Sequence, residues 1–312
     1  MRVSAVKLRL PRDFSTFEVN NIVKNPCEKK PIEFTLLLCT YKNDNPAHLR
    51  ECLTSILSGT VLPNEMIIVK DGLLTAELDE VIATTNFPFE VNIISLPTNQ
   101  TLGIARATGV IAAKHNWIAL MDSDDIALPN RFELQLAKVT KNPEIDILGG
   151  QIAEFDVSPN QTHALRKVPI SHGDIIIFAK TRNPFNAMTV MFNKDLAIES
   201  GNFRYFPGFE DYDLWVRMIK NGAKCQNCED VLVYARTGMG LYARRRGISY
   251  AKHEWLMQRN LLSLKTITKI EFLRNILIRI PIRLLPQRIV ELAYRTFSGR
   301  VVLQNTNKRA DE

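Results

Sequence analysis

No run of about 18 consecutive apolar residues occurs in the 312-residue chain, so a helix crossing a membrane is not expected. The opening segment, MRVSAVKLRLPRDFSTF, has neither an apolar core nor a small-residue cleavage site, which argues against a secretory leader. Cysteine is sparse: Cys27, Cys39, Cys52, Cys225 and Cys228. An odd, scattered set builds no disulfide framework and suits a reducing compartment. Cys225 and Cys228 form a C-x-x-C pair, but no second pair or matching histidines stand near them in sequence, so they read as ordinary thiols rather than zinc ligands. The histidines, His172 and His253 among them, are isolated and carry no assigned role. Internal repeats and low-complexity segments are missing too, which leaves no case for a repeat array.

What is present is a core-forming, basic chain. Hydrophobic residues make up 46%, enough to build a sizeable interior. The net charge of +7 points to an anionic partner: a nucleotide, a phosphorylated lipid, a membrane surface or nucleic acid.

Residues 1–33 are polar, basic and unpatterned and read as an extension. From Phe34 the pattern changes. FTLLLCTY, EMIIVK, VNIISL, WIALMD and IDILGGQIAEF are short, nearly continuous apolar runs, as in strands buried on both faces. Between them, NPAHLRECLTSILSG, ELDEVIATT, LGIARATGVIAAKH and LPNRFELQLAKVTKN carry helical spacing. Strands alternating with helices predict an α/β fold with a mostly parallel sheet and right-handed crossovers. Ligands of such sheets bind beyond the carboxyl ends of the strands. Thr40 and Tyr41, Asp71, and Asp122 to Asp125 all follow strands, so the three loops should open on one edge.

In ALMDSDDIALPNRF the fourth strand ends in Asp122, Asp124 and Asp125. Three nearby carboxylates stay ionised together only beside water or a cation. Oxygen ligands suit Mg²⁺ or Mn²⁺, which often share a few carboxylates with substrate phosphates. The plainer alternative is a loop in which Asp124 or Asp125 caps the helix after Pro129.

The ordered set LLLCTYKNDNPAHLRECLTSIL, EMIIVKDG, NQTLGIARATG, MDSDDIALPNRFELQL and GFEDYDLWVRM resembles family 2, GT-A-fold, inverting glycosyltransferases from about Phe34 to Tyr234. KVPISHGDIIIFAKTRNPFNAMTVMF with VLVYARTGMGLYARRRG is similar to bacterial enzymes that build exopolysaccharide, capsule or O-antigen units, the amylovoran type among them. The resemblance implies a Rossmann-like nucleotide-diphospho-sugar transferase domain over 34–235, followed by a basic, amphipathic helical region over 236–312. It implies a nucleotide-sugar donor, a UDP-sugar first of all, and Mn²⁺ or Mg²⁺. Thr40 and Tyr41 would flank base and ribose, Asp71 would bond the base, and Arg106 would lie near base or diphosphate. Asp122 and Asp124 match the D-x-D pair, with Asp124 the direct metal ligand. Two departures stand out: Lys70 replaces the first of two usual acids before the glycine, and NQT replaces the usual N-x-G.

An inverting transfer also needs a carboxylate opposite the leaving group to take the acceptor proton. Glu210, Asp211 and Asp213 precede a helix. As acids complementing its dipole they need no further role; the resemblance makes Asp211 the base, with Glu210 in support. Trp215 reads as core or as a sugar platform. Asn183 and Asn186 suit sugar hydroxyls or turns. Arg244, Arg245 and Arg246, beside Arg236, suit a diphosphate of the nucleotide or of a lipid-linked acceptor, or a solvated loop.

The segment KIEFLRNILIRIPIRLLPQRIVELAYRTFSGR interleaves apolar residues with arginines. Pro281 and Pro286 are expected to break it into short helices lying on an anionic membrane surface; a helical subdomain packed on the enzyme is the alternative. The reading is a metal-dependent inverting glycosyltransferase acting on a lipid-linked saccharide at the inner face of the cell membrane. A sugar-phosphate nucleotidyltransferase would want a Gly-rich basic loop after the first strand, which CTYKNDNP lacks. A non-enzymatic basic protein binding membrane or nucleic acid would need no acid cluster, and no nucleic-acid partner is expected because the positive charge gathers in the C-terminal third.

Overall fold

The structure is a computed structural model and describes residues 31–237, 246–285 and 300–302. The expectations for Arg244, Arg245 and Pro286, and for residues 1–30, lie outside the described residues. One sheet runs through the fold in the order β10-β7-β6-β8-β4-β1-β2-β3, with β9 on the free side of β6 and the two-residue β5 on β9. The strands are β1 (Phe34–Thr40), β2 (Glu65–Lys70), β3 (Glu90–Ser95), β4 (Trp117–Asp122), β5 (Ile126–Ala127), β6 (Ile147–Phe155), β7 (Thr162–Arg166), β8 (Met191–Asn193), β9 (Cys225–Arg236) and β10 (Arg300–Val302). The helices are α1 (Pro46–Leu57), α2 (Ala76–Thr84), α3 (Leu102–Ala112), α4 (Arg131–Lys141), α5 (His172–Ala179), α6 (Lys194–Glu199), α7 (Glu210–Lys220), α8 (Gly247–Ser263) and α9 (Lys269–Leu284).

The first four long strands are parallel, as the alternation predicts. The apolar runs are continuous because successive side chains enter opposite layers. Leu36, Leu38, Met66 and Ile68 pack on one side with Leu53 and Ile56 of α1. Leu37, Ile67 and Val69 pack on the other with Val110 of α3 and Trp215 of α7. Each such side chain, fully buried, contributes roughly 1.5–3 kcal/mol. The register pairs Thr40 with Lys70 and Cys39 with Asp122, so β1, β2 and β4 end at one level and their loops share an edge. β8 then inserts antiparallel between β4 and β6, while β9 runs parallel to β6.

Trp215 is wholly buried and meets Phe185, Phe192 and Phe203 edge-on, so it is core and not a sugar platform. Asp213 is fully buried and bonded by Arg204 and Arg217. It fastens α7 to the preceding loop.

The C-terminal segment departs from expectation in two ways. Pro281 does not end its helix: α9 continues to Leu284. The ring sits on the exposed side near the helix end, where water can reach the carbonyl it leaves without a donor. Arg279 and Arg283 do not face a lipid surface. They turn inward onto Glu254 of α8, with contacts of 2.5 and 2.7 Å, and Glu254 is fully buried. α8 packs on α7 through Phe209, Tyr212, Val216, Met257 and Leu261, with Phe272 of α9 against the same cluster. The described residues 300–302 of the same region form a strand against β7.

Candidate active site

A cleft of about 1060 Å³ opens where β1, β2 and β4 end and extends to α5, the start of α7 and the C-terminal helices. Thr40, Tyr41, Asp71, Arg106, Asp122, Asp124, Asn183, Glu210, Asp211 and Arg246 all line it. Asn186 does not. It is buried, and its side-chain amide donates to the Gly150 carbonyl at 2.8 Å. The expected sugar contact from Asn186 is therefore corrected to a core role: its turn carries the chain across β6.

The acid loop divides its three carboxylates. Asp122 accepts from Arg106 at 2.6 Å. Asp125 is turned inward and accepts from the Arg236 backbone N–H at 2.8 Å. Burial, reinforced by Asp124 and Asp122, pushes its carboxyl well above the usual range. Asp124 lies between them on the cleft wall. None caps α4, whose N-cap is Asn130 with no side-chain bond. Arg236 braces the loop from behind. Its guanidinium donates to the Asp124 carbonyl at 3.1 Å and to Glu51, and it stacks 4.6 Å from the Phe155 ring centroid. It is thus a support for the acids. Ser123 adds a tie to Asp44 across the cleft floor, at 2.7 Å.

Asp71 fastens two loops together. Its carboxylate accepts from the Gln100 N–H at 2.6 Å and from the Asn99 amide at 3.0 Å. The next residue, Gly72, has φ +88°, and a Cβ there would meet the Asn99 nitrogen at 2.9 Å, so the turn needs glycine. Thr101 ends this clamp at φ 80°, ψ 155°, a region that is essentially glycine's own. The departure NQT for N-x-G thus places a β-branched residue where glycine fits best. Such strain costs about 1–3 kcal/mol, against a smaller entropic cost of glycine in the unfolded chain. Thr101→Gly is expected to raise stability in denaturant by about 1 kcal/mol; an unchanged or lower midpoint would mean that the threonine side chain has compensating contacts.

Arg106 links the two halves of the site. It is 4% exposed, pairs with Asp122 and rests over the Phe203 ring at 5.8 Å. Burial works against its charge, but Asp122, Glu210 and Asp211 together outweigh burial and raise its pKa. Glu210 responds in the opposite sense. Burial first, then Asp211, push it up to about 7 despite Arg106. Asp211 accepts from the Asn183 side-chain amide at 2.7 Å. The carbonyl of that amide accepts from the Phe185 N–H at 3.1 Å. That bond orients the asparagine, so its NH₂ faces Asp211. Asn183, expected as a sugar contact, is here the residue that aims Asp211.

A profile of the family described as Glycosyl transferase family 2 matches residues 35–206. The chain belongs to glycosyl transferase family 2. Among its relatives, an uncharacterized glycosyltransferase of Haemophilus influenzae is 37% identical over 85% of this chain and 99% of its own length. The amylovoran biosynthesis glycosyltransferase AmsE of Erwinia amylovora is 35% identical over 84% of this chain and 97% of its own. An Escherichia coli UDP-Gal:alpha-D-GlcNAc-diphosphoundecaprenol beta-1,3-galactosyltransferase is 36% identical over 81% and 92%. Among solved structures, S. aureus TarS 1-349 with UDP-GlcNAc superposes with a TM-score of 0.61 at 16% identity, over 86% of this chain and 74% of that one. The mannosyltransferase PcManGT of Pyrobaculum calidifontis, with GDP-Man and Mn²⁺, gives 0.57 at 14%, over 88% and 80%. The fold is GT-A, and the protein is a glycosyltransferase with relatives in bacterial polysaccharide synthesis.

For a family 2 enzyme, the matched region stops just before Glu210 and Asp211. Glu210, Asp211 and the lining that the C-terminal helices supply come from later residues. Arg182, Lys167, Tyr250, Ile278 and Ile282 also line the cleft and do not stand out in the sequence. No local signal marks them: each sits in an ordinary helix or loop and reaches the cleft only through long-range packing. Among the described residues no three Asp, Glu, His or Cys side chains form a ready-made metal cage. Asp122 and Asp124 offer hard carboxylate oxygens at the cleft wall. That donor set fits a Mg²⁺ or Mn²⁺ ion that completes its shell with phosphate oxygens. The C-x-x-C residues are buried thiols; burial raises both, Cys228 to about 11.

Proposed function

We propose that the protein is a metal-dependent, inverting glycosyltransferase that moves a sugar from a UDP-sugar to a lipid-linked saccharide. The observation that carries this reading is the shared cleft. It holds Asp122 and Asp124 at one end and Asp211, aimed by Asn183, at the other, with Arg106 between. Thr40, Tyr41 and Asp71 take the nucleoside side. Asp122 and Asp124 would hold Mn²⁺ or Mg²⁺, which when bound supplies charge stabilisation for the departing diphosphate. Arg106 adds a fixed positive group near the same oxygens. Asp211 takes the proton of the acceptor hydroxyl as that oxygen attacks the anomeric carbon from the face opposite the diphosphate. Glu210 shapes the acceptor side, and Arg246 lies where an acceptor phosphate would pass.

The lipid-linked acceptor rests on the basic lining described above and on the name of the E. coli relative. No helix among the described residues is long and apolar enough to cross a membrane. Ile270, Leu273 and Leu277 of α9 are exposed, which supports a peripheral position on the inner face of the cell membrane. Residues 34–235 would form the transferase domain, 1–33 an extension, and 236–312 a basic, amphipathic helical region.

A panel of nucleotide sugars mixed with the protein and Mn²⁺ tests the activity: one donor should release its nucleoside diphosphate and label a GlcNAc-diphosphate lipid. UDP titrated by calorimetry should bind at least about tenfold more tightly with Mn²⁺ than without, about 1.4 kcal/mol. Asp124→Ala should remove that difference. Equal affinity in both conditions would remove the metal from the reading.

A further inference from the structure

Helix α9 is inverted relative to a normal surface helix. Its inward side carries Asn275, Arg279 and Arg283, all bonded to α8 or to the α5 end. Its outward side carries Ile270, Leu273, Leu277, Ile278 and Leu284, each more than half exposed. At 100° per residue these five fall on one arc, interrupted by only one charge, Arg274. A soluble helix places polar residues outward, and a contiguous exposed apolar row marks a contact surface.

One margin of that row is part of the cleft. Ile278, 56% exposed, lines it together with Ile282 one turn on. Lys167, Arg182 and Arg246 line the same cleft, with Arg182 resting over the Phe178 ring at 5.2 Å. Arg182 directly follows Thr181, whose carbonyl accepts from Arg279 of α9 at 2.7 Å, which sets this cation beside the helix that carries Ile278 and Ile282. An anion joined to an apolar chain matches this arrangement: its phosphates meet the cations and its chain follows the isoleucine edge out to the exposed row.

We propose that Ile278 and Ile282, with Lys167 and Arg182, form a subsite for the isoprenoid diphosphate portion of the acceptor, and that α9 guides the first units of its hydrocarbon chain. This rests on the proposed transfer to a lipid-linked acceptor and locates its lipid portion. No covalent step is involved, because the diphosphate is held and not broken.

The probe is farnesyl diphosphate, titrated with UDP and Mn²⁺ saturating so that the donor site is filled. Wild type should bind it at least about tenfold more tightly than inorganic diphosphate or farnesol. Ile278→Asp, at an exposed position, should weaken it about tenfold while circular dichroism stays unchanged; Ile278→Ser should weaken it less. Lys167→Ala should weaken farnesyl diphosphate and inorganic diphosphate alike. Unchanged binding in Ile278→Asp, or inorganic diphosphate binding as tightly as farnesyl diphosphate, overturns the subsite. If the enzyme glycosylates a water-soluble saccharide but does not bind farnesyl diphosphate, the subsite is wrong and the transferase stands. If farnesyl diphosphate binds as expected but no nucleotide sugar supports transfer, the subsite stands and the proposed transfer is wrong.

Discussion

Asp211→Asn should cut glycosyl transfer by roughly a hundredfold or more, the scale of a lost general base, with UDP affinity little changed. The substitution keeps the shape of the side chain. Its carbonyl oxygen can still accept from Asn183, the contact that measures 2.7 Å to the carboxylate. What disappears is the ability to take a proton. Single-turnover rates with a fixed donor, set beside UDP titration, separate the two effects. Glu210→Gln provides the contrast. Burial and Asp211 disfavour the charge of Glu210 and push it up to about 7, so its amide should cost much less than that of Asp211. The reverse order of damage would move the base to Glu210. Asp213 is no candidate, because it is fully buried between Arg204 and Arg217.

The second large effect is on stability. Glu254→Ala should destabilise the folded protein by about 3–5 kcal/mol, the usual result of breaking a buried ion pair by removing one partner. It would leave Arg279 and Arg283 facing each other with no carboxylate between them. Burial alone would raise the pKa of Glu254, but the two arginines overcome it and hold the group at about 2. A depressed carboxylate pKa stabilises the fold above the unfolded value and loses that contribution as pH falls through the folded one. The gap between wild type and Glu254→Ala should thus be full above about pH 4.5 and close as pH falls towards 2. Urea unfolding at several pH values measures it. A gap that did not change with pH would show that packing, and not charge, sets the loss. Truncation before Lys269 should act in the same direction, since it removes both arginines at once.

The half of the site proposed for the donor is legible in the sequence because its determinants are local. Apolar runs end in Thr40, Asp71 and Asp122, and parallel pairing brings such ends to one level without any further information. The half proposed for the acceptor is not, because its determinants are contacts between distant segments. Asn183 and Asn186 stand three residues apart in the same polar turn. Nothing local tells which one aims a carboxylate and which one secures β6. Arg279 and Arg283 look like residues for lipid headgroups because periodicity gives the faces of a helix but not which face is packed. Only Glu254, 25 and 29 residues away, decides that. Pro281 misleads for a related reason: the ring alone suggests a helix end, and sequence does not tell that it lies on the wet side.

The buried pair between α8 and α9 also sets an order on the birth of the protein. Glu254 leaves the ribosome before Arg279 and Arg283, so α8 at first carries a carboxylate that no buried site can accept. It stays hydrated until the two arginines follow. The strand ends that carry Thr40, Asp71 and Asp122 are synthesised well before Arg236, which braces the acid loop, and before α8 and α9. The docking of α9 is the event that closes the part of the cleft wall that Ile278 and Ile282 line.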